Sequence, residues 1–254
     1  MSDTLPVINP REAKTVGSDR GTRWISEGWR MFTAAPGVWI AVAVVMIVIQ
    51  LLLNIVPVIG GLASSILAPV FLGGIMAGCA AADRGEPFQF ECLFLGFRSN
   101  TGNLVTIGVL YLIGVVVISM VGVAVLVVGG GGAILAALWH SGGVATPDML
   151  SGDILLSSLG IVLLATCIVL MLFVPLLMTL WFAPALAMLD HLSAGAAMKS
   201  SLAASLRNWL PFTIYSLVVL VLMVVAAIPL MLGYLILVPV LLGSVYASYR
   251  DIYC

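Results

Sequence analysis

The side chains that could do chemistry stand where long apolar segments end. Carboxylates and bases follow such segments three times along the chain, at Asp83, Arg84, Glu86, Asp190, His191, Arg250 and Asp251. Asp190 beside His191 could form an acid–base pair, and Glu86 could serve as a general base. No nucleophile motif, phosphate-binding loop or metal-ligand spacing accompanies these residues. We therefore expect no catalytic residue, no metal, no cofactor and no enzymatic activity.

The interpretation we favour is a salt-bridged collar, here called the charged collar, that joins three parts of the chain. Its members are Asp83, Arg84, Glu86, Asp190, Arg250 and Asp251. We expect Asp83 or Glu86 to approach Arg250. We also expect Arg84 to approach Asp251.

Composition places these residues in a membrane protein. Hydrophobic residues make up 62% of the 254 and charged residues only 8%, where a soluble domain has about 25% charged residues. Long apolar runs recur along the chain, and a helix that crosses a bilayer needs about 20 apolar residues. The net charge is −1 and no basic cluster is interleaved with aromatic residues, so nucleic acid is not an expected partner.

Three segments share a pattern in which a proline lies within an apolar run and an alanine follows eight residues later: Pro69–Ala77, Pro175–Ala183 and Pro239–Ala247. Equivalent segments imply equivalent units, so we predict three repeats at about 22–86, 87–190 and 193–254. Together they form a single six-helix transmembrane domain, 22–254, preceded by a disordered cytoplasmic tail, 1–21. Pro69, Pro175 and Pro239 are expected to kink equivalent helices. The kinks either shape the bundle, which we favour, or widen a central cavity.

Each repeat is predicted to hold a short amphipathic helix in the membrane plane, here called an elbow, followed by a transmembrane hairpin. The elbows are predicted at 22–33, 87–98 and 193–209, and the spans at about 39–56, 62–82, 104–128, 163–189, 210–228 and 232–249. Pro57–Gly61 is expected to be a turn, Pro87 to open the second elbow, and residues 154–161 to lie along the outer surface. The predicted apolar faces of the elbows are Trp24, Ile25, Gly28, Trp29 and Phe32; Phe90, Leu93, Phe94 and Phe97; and Met198, Leu202, Leu206 and Trp209. The predicted fold is therefore all-α, with six transmembrane helices as three repeated hairpins.

Charge predicts the orientation. If the chain starts inside, all ten basic residues lie on the cytoplasmic side, namely Arg11, Lys14, Arg20, Arg23, Arg30, Arg84, Arg98, Lys199, Arg207 and Arg250. The predicted external loops carry only Asp148 and Asp153. Because cytoplasmic loops hold the excess of Lys and Arg, we predict a multi-pass protein of a bacterial inner membrane with both termini in the cytoplasm.

The predicted spans contain no Asp, Glu, Lys, Arg or His, which argues against proton antiport and voltage sensing. Gln50 and Asn54 lie four residues apart on the first span. They either bind a solute or hydrogen-bond another helix, and we favour the second.

Arg30, Arg98 and Arg207 each lie near the C-terminal end of an elbow. A guanidinium there lies at phosphate depth and can bind phosphate through two donors. The electronegative end of the helix also favours a cation. We predict that these arginines contact anionic lipid headgroups; the alternative is that they only orient the chain.

The ordered set AADRGEPF (81–88), LFLGFRSN (93–100), LWFAPAL (180–186) and YASYRDIY (246–253) resembles a proteobacterial family of six-span inner-membrane proteins that end in SYRDI(F/Y). An elbow followed by a proline-kinked hairpin is also remotely similar, in architecture alone, to the membrane domain of some glycerophosphodiesterases. The resemblance implies the architecture and the membrane, and no functional residue follows from it.

The leading hypothesis is a non-enzymatic membrane component that organises lipid or supports a partner protein. The alternative is a facilitative transporter or channel-like protein for a small or amphipathic solute. Membrane lipids are the expected partners. The sequence leaves open whether another protein or a second copy binds.

Overall fold

The computed structural model describes residues 12–131, 139–140 and 152–254. Every regular element in those ranges is a helix. In chain order these are α1 (Arg20–Ala34), α2 (Pro36–Asn54), α3 (Pro57–Asp83), a 3-10 helix (Phe90–Phe97), α4 (Thr101–Leu126) followed by a π turn (Val127–Gly131), α5 (Gly152–Trp181), α6 (Ala183–Leu189), α7 (Ala194–Arg207), α8 (Trp209–Ala227) and α9 (Tyr234–Tyr253).

Six stretches of the described chain are long and apolar enough to cross a membrane: Pro36–Asn54, Val58–Asp83, Thr101–Gly129, Leu156–Leu189, Trp209–Ala227 and Tyr234–Tyr253. A short helix precedes each of the three hairpins. These helices are α1 (elbow 1), the 3-10 helix (elbow 2) and α7 (elbow 3). The predicted all-α fold with six transmembrane helices is confirmed.

The chain forms two compact units, Met1–Tyr111 with Met178–Cys254 and Leu112–Leu177. In the second unit, α4 and α5 run antiparallel, and glycines of α4 and of the π turn that follows it face branched side chains of α5. The facing pairs are Gly114 with Leu176, Gly122 with Val169 and Gly129 with Ile161. A Cβ on these glycines would lie 2.6–2.8 Å from the facing side chain. Small residues therefore set the spacing of this helix pair.

In the first unit, elbows 1 and 2 each lie on the second helix of another repeat's hairpin. Gly28 of elbow 1 faces the Val240 carbonyl of α9, and a Cβ on Gly28 would lie 2.8 Å from the Ser244 nitrogen. Gly96 of elbow 2 faces the Val70 carbonyl of α3 in the same way. Val70 and Val240 both directly follow the repeated proline, so the two contacts are equivalent. Only glycine permits so close an approach of two backbones.

Elbow 3 is attached by a side chain, at a break in the fourth span. The Ser201 hydroxyl accepts a hydrogen bond from Phe182 N at 2.9 Å and donates one to the Met178 carbonyl at 2.6 Å. Pro184, which lacks an N–H, lies at the start of α6. A hydroxyl inserted into the helical hydrogen-bond ladder beside a proline interrupts the helix.

The fourth span ends at Leu189 as predicted, but it begins earlier than Leu163 and consists of two helices. Helix α5 ends at Trp181, and α6 begins at Ala183, just before Pro184. Residues 154–161, expected along the outer surface, belong to the continuous helix α5.

Two further predictions, a turn at Pro57–Gly61 and a helix start at Pro87, are wrong. Pro57 lies in the first turn of α3, where its missing N–H costs nothing, so the link from α2 is only Ile55–Val56. Pro87, which was expected to open elbow 2, lies instead in the non-helical stretch 86–89. Elbow 2 begins three residues later, as a 3-10 helix.

The buried faces of the elbows follow from these geometries. With three residues per turn, elbow 2 buries Leu93 and Gly96 together, while Phe94 and Phe97 of the predicted α-helical stripe are exposed. Elbow 3 buries only small or polar residues within its helix, namely Ala194, Ala197, Ser201, Ala204 and Ser205. Leu206 and Trp209 of its predicted buried face are exposed. Next to lipid this is reasonable, because moving a leucine from lipid into protein brings no hydrophobic gain.

Candidate functional site

The last two turns of α9 bring the three repeats together. Tyr246, Tyr249 and Tyr253 are three and four residues apart and share one helix face. Their hydroxyls bond three other elements: Tyr246 to Asp83 at 3.5 Å, Tyr249 to Asp190 at 2.6 Å, and Tyr253 to Ser200 at 3.1 Å. The tyrosine face therefore connects α9 with the end of α3, the end of α6 and elbow 3.

Arg250 lies between two carboxylates. It donates to Asp83 at the end of α3 and, through Nη2, to Glu27 of elbow 1 at 2.9 Å. Glu27 also accepts a hydrogen bond from Arg30 at 3.0 Å. Burial pushes the pKa of Glu27 up, but the hydrogen bond from Arg30 and the charge of Arg250 outweigh burial, so this pKa lies below its ordinary value. Glu27 is therefore ionised at neutral pH and joins the first repeat to the third.

Asp251 fixes elbow 1 at a second point. It accepts hydrogen bonds from Arg20 Nε at 2.6 Å and from Trp24 Nε1 at 3.0 Å. Hydrogen bonding to Asp251 raises the pKa of Arg20. Trp24 is buried, and a buried indole N–H needs a partner. Trp24 is therefore a core residue.

Residues 12–19, here called the N-terminal strap, lie against the same end of α9. Lys14 N donates to the Ile252 carbonyl at 2.8 Å. Asn208, only 1% exposed, holds the strap from the other side. Its Oδ1 accepts from Val16 N at 2.9 Å and its Nδ2 donates to the Lys14 carbonyl at 3.0 Å. Ordered chain thus begins before residue 22, and residues 1–11 of the predicted disordered tail lie outside the described residues.

A cavity of about 620 Å³ opens beside this charged end. Elbow 1, the first turn of α2 and the end of α3 line it, and the ring of Trp39 stacks on that of Phe88 with centroids 4.1 Å apart. Arg30, Asp83 and Glu86 supply charge of both signs to the lining. The volume is in the range of small-molecule sites, about 300–1,000 Å³.

An apolar groove of about 610 Å³ lies on another face of elbow 1, against the α8–α9 hairpin. Its lining residues are Ile25, Ser26, Trp29, Leu222, Val225, Ala226, Pro229, Gly233, Ile236, Leu237 and Val240. Ser26 is the one polar side chain among them apart from the indole N–H of Trp29. Elbow 1 therefore borders a polar cavity on one face and an apolar groove on another.

The chain is similar to a probable inner membrane protein of Burkholderia thailandensis. The two are 30% identical over 203 residues, which cover 80% of this chain and 73% of the relative. The chain belongs to the family of that protein. No family model and no solved structure matches it. With its six apolar helices, this member of the family is a multi-pass membrane protein.

The structure brings part of the charged collar of this membrane protein together. Arg250 lies on Asp83, the pairing that the repeat implied. The predicted approach of Arg84 to Asp251 is wrong, because elbow 1 places Arg20 against Asp251. Arg84 pairs instead with Glu86 at 3.1 Å. Asp190 accepts the hydrogen bond of Tyr249. Within the described ranges, no three His, Cys, Asp or Glu side chains are grouped as metal ligands.

The three arginines predicted to contact headgroups have different surroundings. Arg30 pairs with Glu27 at 3.0 Å. Arg207 Nη1 donates to the Ala13 carbonyl at 2.6 Å and so holds the N-terminal strap. Arg98 is exposed at the end of elbow 2, and its guanidinium has no hydrogen-bond or ion-pair partner among the described residues. Headgroup contact by these side chains stays a prediction.

Polar and helix-bending residues of the spans lie within helices. Pro69, Pro175 and Pro239 are inside α3, α5 and α9, each of which continues through its proline. Their effect on the shape of the bundle stays a prediction. Gln50 Oε1 accepts from Ser64 Oγ at 3.1 Å, a bond between α2 and α3, while Asn54 Nδ2 donates to the Gln50 carbonyl at 2.8 Å. The bond to Ser64 is the helix-to-helix role that we favoured for Gln50.

Sequence reasoning missed Arg20, Glu27, Ser201 and Asn208. Arg20 and Glu27 were interpreted as part of the tail and of a solvated helix face. A usable signal was present in the order of the charges. Elbow 1 has Arg20 before Glu27 and α9 has Arg250 before Asp251, so opposite charges meet when the two helices run antiparallel. Asn208 had a weaker signal, as an uncharged polar residue directly before a span.

Proposed function

We propose that this protein is a non-enzymatic membrane component that organises lipid or supports a partner protein. The proposal rests on one observation, that charged side chains of this protein pair with one another and so hold its helices together. Arg250 forms ion pairs with Glu27 and Asp83, and Asp251 forms an ion pair with Arg20. Carboxylates engaged in this way brace the bundle at one end. A braced bundle is suited to present fixed surfaces to lipid or to a partner.

The elbows support the lipid part of the proposal. They turn large apolar side chains outward, namely Trp29, Phe94, Phe97 and Leu206, with Trp209 directly after elbow 3. Amphipathic helices of this kind bury such side chains at the boundary of headgroups and acyl chains. Anionic lipid is the preferred class, because a basic residue near an anionic leaflet contributes about 1 kcal/mol.

Native mass spectrometry from lipid nanodiscs tests this proposal. The wild-type chain should retain phosphatidylglycerol or cardiolipin. The triple change of Arg30, Arg98 and Arg207 to glutamine should reduce that retention, while Arg84→Gln, which loses only the pair with Glu86, should not. Equal retention in all three proteins would mean that the elbow arginines only orient the chain.

Facilitative transport is the second candidate, and the cavity beside the charged end is the observation that favours it. Its charged and aromatic lining could admit a small amphipathic solute. Proteoliposomes that release such a solute, and an Ala82→Phe variant that fills the cavity and stops release, would support transport. If wild type and Ala82→Phe both retain lipid and neither releases solute, the result would support the lipid-organising role.

We further propose a bacterial inner membrane with both termini in the cytoplasm. The support is the placement of all ten basic residues on one side of the predicted spans. The bond from Lys14 N to the Ile252 carbonyl supports a common side for the two ends of the chain. Reporter fusions after residues 20, 100, 205 and 254 should report cytoplasm, and one within 140–150 should report the periplasm. A cytoplasmic signal from 140–150 would contradict six spans.

We also propose that the family extends to the six-span proteobacterial proteins that end in SYRDI(F/Y), with the glycerophosphodiesterase membrane domain as an architectural analogue. The support is that Tyr249, Arg250 and Asp251 of this ending each bond a different element. Exchange of this ending between two such proteins should preserve folding, which thermal unfolding of the chimaera measures.

A further inference from the structure

We propose that the cavity between elbow 1 and the end of α3 binds the headgroup of an aminophospholipid. The ammonium group of the lipid lies on Glu86 and its phosphate lies on Arg30, two side chains that line the cavity. This inference goes beyond the proposed retention of anionic lipid, because it assigns a zwitterionic lipid to one cavity.

The cavity lies at the depth of lipid headgroups. Two of the apolar stretches that can cross a membrane border it, since the first begins at Pro36 and the second ends at Asp83. The first turn of α2 and the end of α3 both contribute to its lining, as does elbow 1. Because the ends of apolar stretches mark the edge of the hydrocarbon core, a lipid that reaches this cavity presents its headgroup to it.

The turn that ends α3 fixes the backbone of Glu86. The N–H groups of Gly85 and Glu86 donate to the carbonyls of Ala82 and Ala81, both at 3.1 Å. This is the Schellman pattern of a helix C-terminus, and Gly85 adopts the left-handed conformation that it requires, with a φ of 88°. Pro87 then restricts Glu86 to extended backbone conformations. The Glu86 side chain therefore starts from a defined point beside the cavity.

The carboxylate of Glu86 keeps one oxygen for a ligand. Its Oε1 accepts a hydrogen bond from Arg84 Nε at 3.1 Å, whereas its Oε2 accepts none from any residue that the structure describes. Both side chains of that pair are more than half exposed, so the pair contributes little to stability. Asp83 adds a second negative charge to the lining, although Arg250 already binds it. An ammonium group, with three rotatable donors, suits this part of the cavity.

Arg30 supplies the positive charge of the lining. Within the described chain only its Nη2 is engaged, on Glu27 at 3.0 Å. Nη2 contributes one N–H to each of the two edges of the guanidinium, so this bond leaves the other edge with two parallel donors, which match a phosphate. The Met31 carbonyl accepts a hydrogen bond from Trp39 Nε1 at 3.1 Å, which fixes this end of elbow 1 against α2. Arg30 can therefore bind a phosphate and stay paired with Glu27.

The mixture of charges identifies the occupant. A ligand with only a phosphate would face the two carboxylates, and a ligand with only a cation would face the guanidinium. A phosphate joined to an ammonium by a short linker matches both signs of the lining. At headgroup depth the molecules that carry this pair are aminophospholipids, of which the ethanolamine lipids are the simplest. Met31 and Val38 add apolar surface for the first carbons of the lipid.

Exchange of the headgroup at constant acyl chains tests the site. Native mass spectrometry of the purified full-length protein compares the palmitoyl-oleoyl lipids that have ethanolamine, choline and glycerol headgroups. Wild type should bind one ethanolamine lipid about tenfold more tightly than either of the others, because choline has no N–H to donate and glycerol has no charge. Equal affinity for the ethanolamine and choline lipids would overturn the proposal.

Two pairs of variants locate the site, each with a matched control. Glu86→Gln should abolish the preference for ethanolamine over choline, whereas Glu91→Gln should keep it, because Glu91 does not line this cavity. Arg30→Gln should weaken the binding of all three lipids about fivefold. Arg23→Gln on the same helix, which loses its pair with Asp19, should not weaken it. A preference that survives Glu86→Gln contradicts the site.

Further arms separate this lipid from other occupants. Ala82→Phe should fill the cavity and remove the ethanolamine lipid, and unchanged binding in that variant would place the lipid elsewhere and overturn the proposal. Equimolar sn-glycero-3-phosphoethanolamine should not displace the lipid, and displacement would assign the cavity to a soluble phosphoester instead. Wild type that retains phosphatidylglycerol without a preference for ethanolamine removes only this inference. Wild type that retains no lipid at all removes the proposed function as well.

Discussion

Elbow 1 and elbow 3 hold the same place in their repeats but attach to the bundle by different means. Gly28 stands two residues before Arg30, and Ser205 stands two residues before Arg207. Gly28 brings backbone against backbone at the Val240 carbonyl. Ser205 is 1% exposed, and its hydroxyl has no hydrogen-bond partner within the described part of the chain. The repeat therefore preserves the buried position, but not the chemistry there.

Elbow 3 is held instead by two side chains, one in the middle of the helix and one on the residue directly after it. Ser201 bridges the break in the fourth span, and Asn208 holds the N-terminal strap. A substitution can remove one side-chain contact of elbow 3 and leave the other in place. The backbone contact of elbow 1, by contrast, is lost when Gly28 is replaced by any residue that has a Cβ. Elbow 1 is therefore attached by a close backbone contact in addition to its side-chain bonds, whereas elbow 3 is attached through side chains.

The largest expected effect is on elbow 1, from Gly28→Val. A Cβ there overlaps the Val240 carbonyl oxygen, so the helices must separate. We expect a loss of about 3 kcal/mol or more in unfolding free energy, measured by thermal unfolding in detergent. Gly195→Ala on elbow 3 is the control. Nothing lies within 4 Å of its Cβ, so it should stabilise by up to about 1 kcal/mol. Equal effects at the two glycines would contradict the backbone contact.

Asn208→Ala should have the next largest effect, and it tests the other elbow. It removes the bonds to Val16 N and the Lys14 carbonyl, so the strap should detach at a cost of about 2 kcal/mol. Trypsin should then cut faster at Lys14 and Arg20. Asn54→Ala, which loses only a bond to the Gln50 carbonyl, is the matched control. Unchanged cleavage in Asn208→Ala would show that the bonds from Lys14 N to α9 and from Arg207 to the Ala13 carbonyl are sufficient to hold the strap.

The repeated hairpins could be predicted because the positions of proline, small residues and charges along each apolar segment can be recognised without knowledge of the tertiary structure. The sequence also predicted the pairing of Asp83 with Arg250, because equivalent helix ends meet when repeats are arranged alike. It missed Arg20 on Asp251 because the complementary order of charges identifies this pair only once elbow 1 is known to lie antiparallel to α9, and no local pattern encodes that packing.

Helix type was the other limit of prediction. The stripe of elbow 2 was interpreted at 3.6 residues per turn, and the 3-10 geometry exchanged Phe94 and Phe97 for Gly96 on the buried face. The face of elbow 3 was misassigned for a different reason. Beside lipid, large apolar side chains can face outward, so hydrophobicity does not identify the packed face.

Ser205 gives a smaller effect that sharpens the comparison. Because its buried hydroxyl lacks a partner, Ser205→Ala should stabilise the chain by about 1 kcal/mol. Ser205→Gly copies elbows 1 and 2 and should be less stable than the alanine variant by about 0.5–1 kcal/mol, the cost of glycine within a helix. Thermal unfolding of the two variants measures the difference. A glycine variant more stable than the alanine variant would mean that elbow 3 also needs a close backbone contact.

The smallest expected effect is a pH-dependent change in stability that involves elbow 1 but not elbow 3. Elbow 1 carries Glu27, whose folded pKa lies below its ordinary value, whereas elbow 3 contains no carboxylate. A lowered folded pKa means that Glu27 adds stability above its unfolded pKa of about 4.3, and that this stability disappears as the pH falls through the folded pKa. Glu27→Gln should therefore destabilise the chain by at most about 1 kcal/mol at neutral pH, since the pair is partly exposed. The difference from wild type should vanish in acid.

Asn208→Ala is the control for this pH series, because an amide does not titrate and its deficit should not follow the Glu27 titration. Unfolding midpoints in detergent, measured from neutral pH into acid for wild type and both variants, give the comparison directly. If the deficit of Glu27→Gln stays constant into acid, then Arg250 and Arg30 do not act on Glu27 through its charge. Elbow 1 would then be held by its glycine contact and by Asp251, and the ionic links between the first and third repeats would reduce to Arg250 on Asp83 and Arg20 on Asp251.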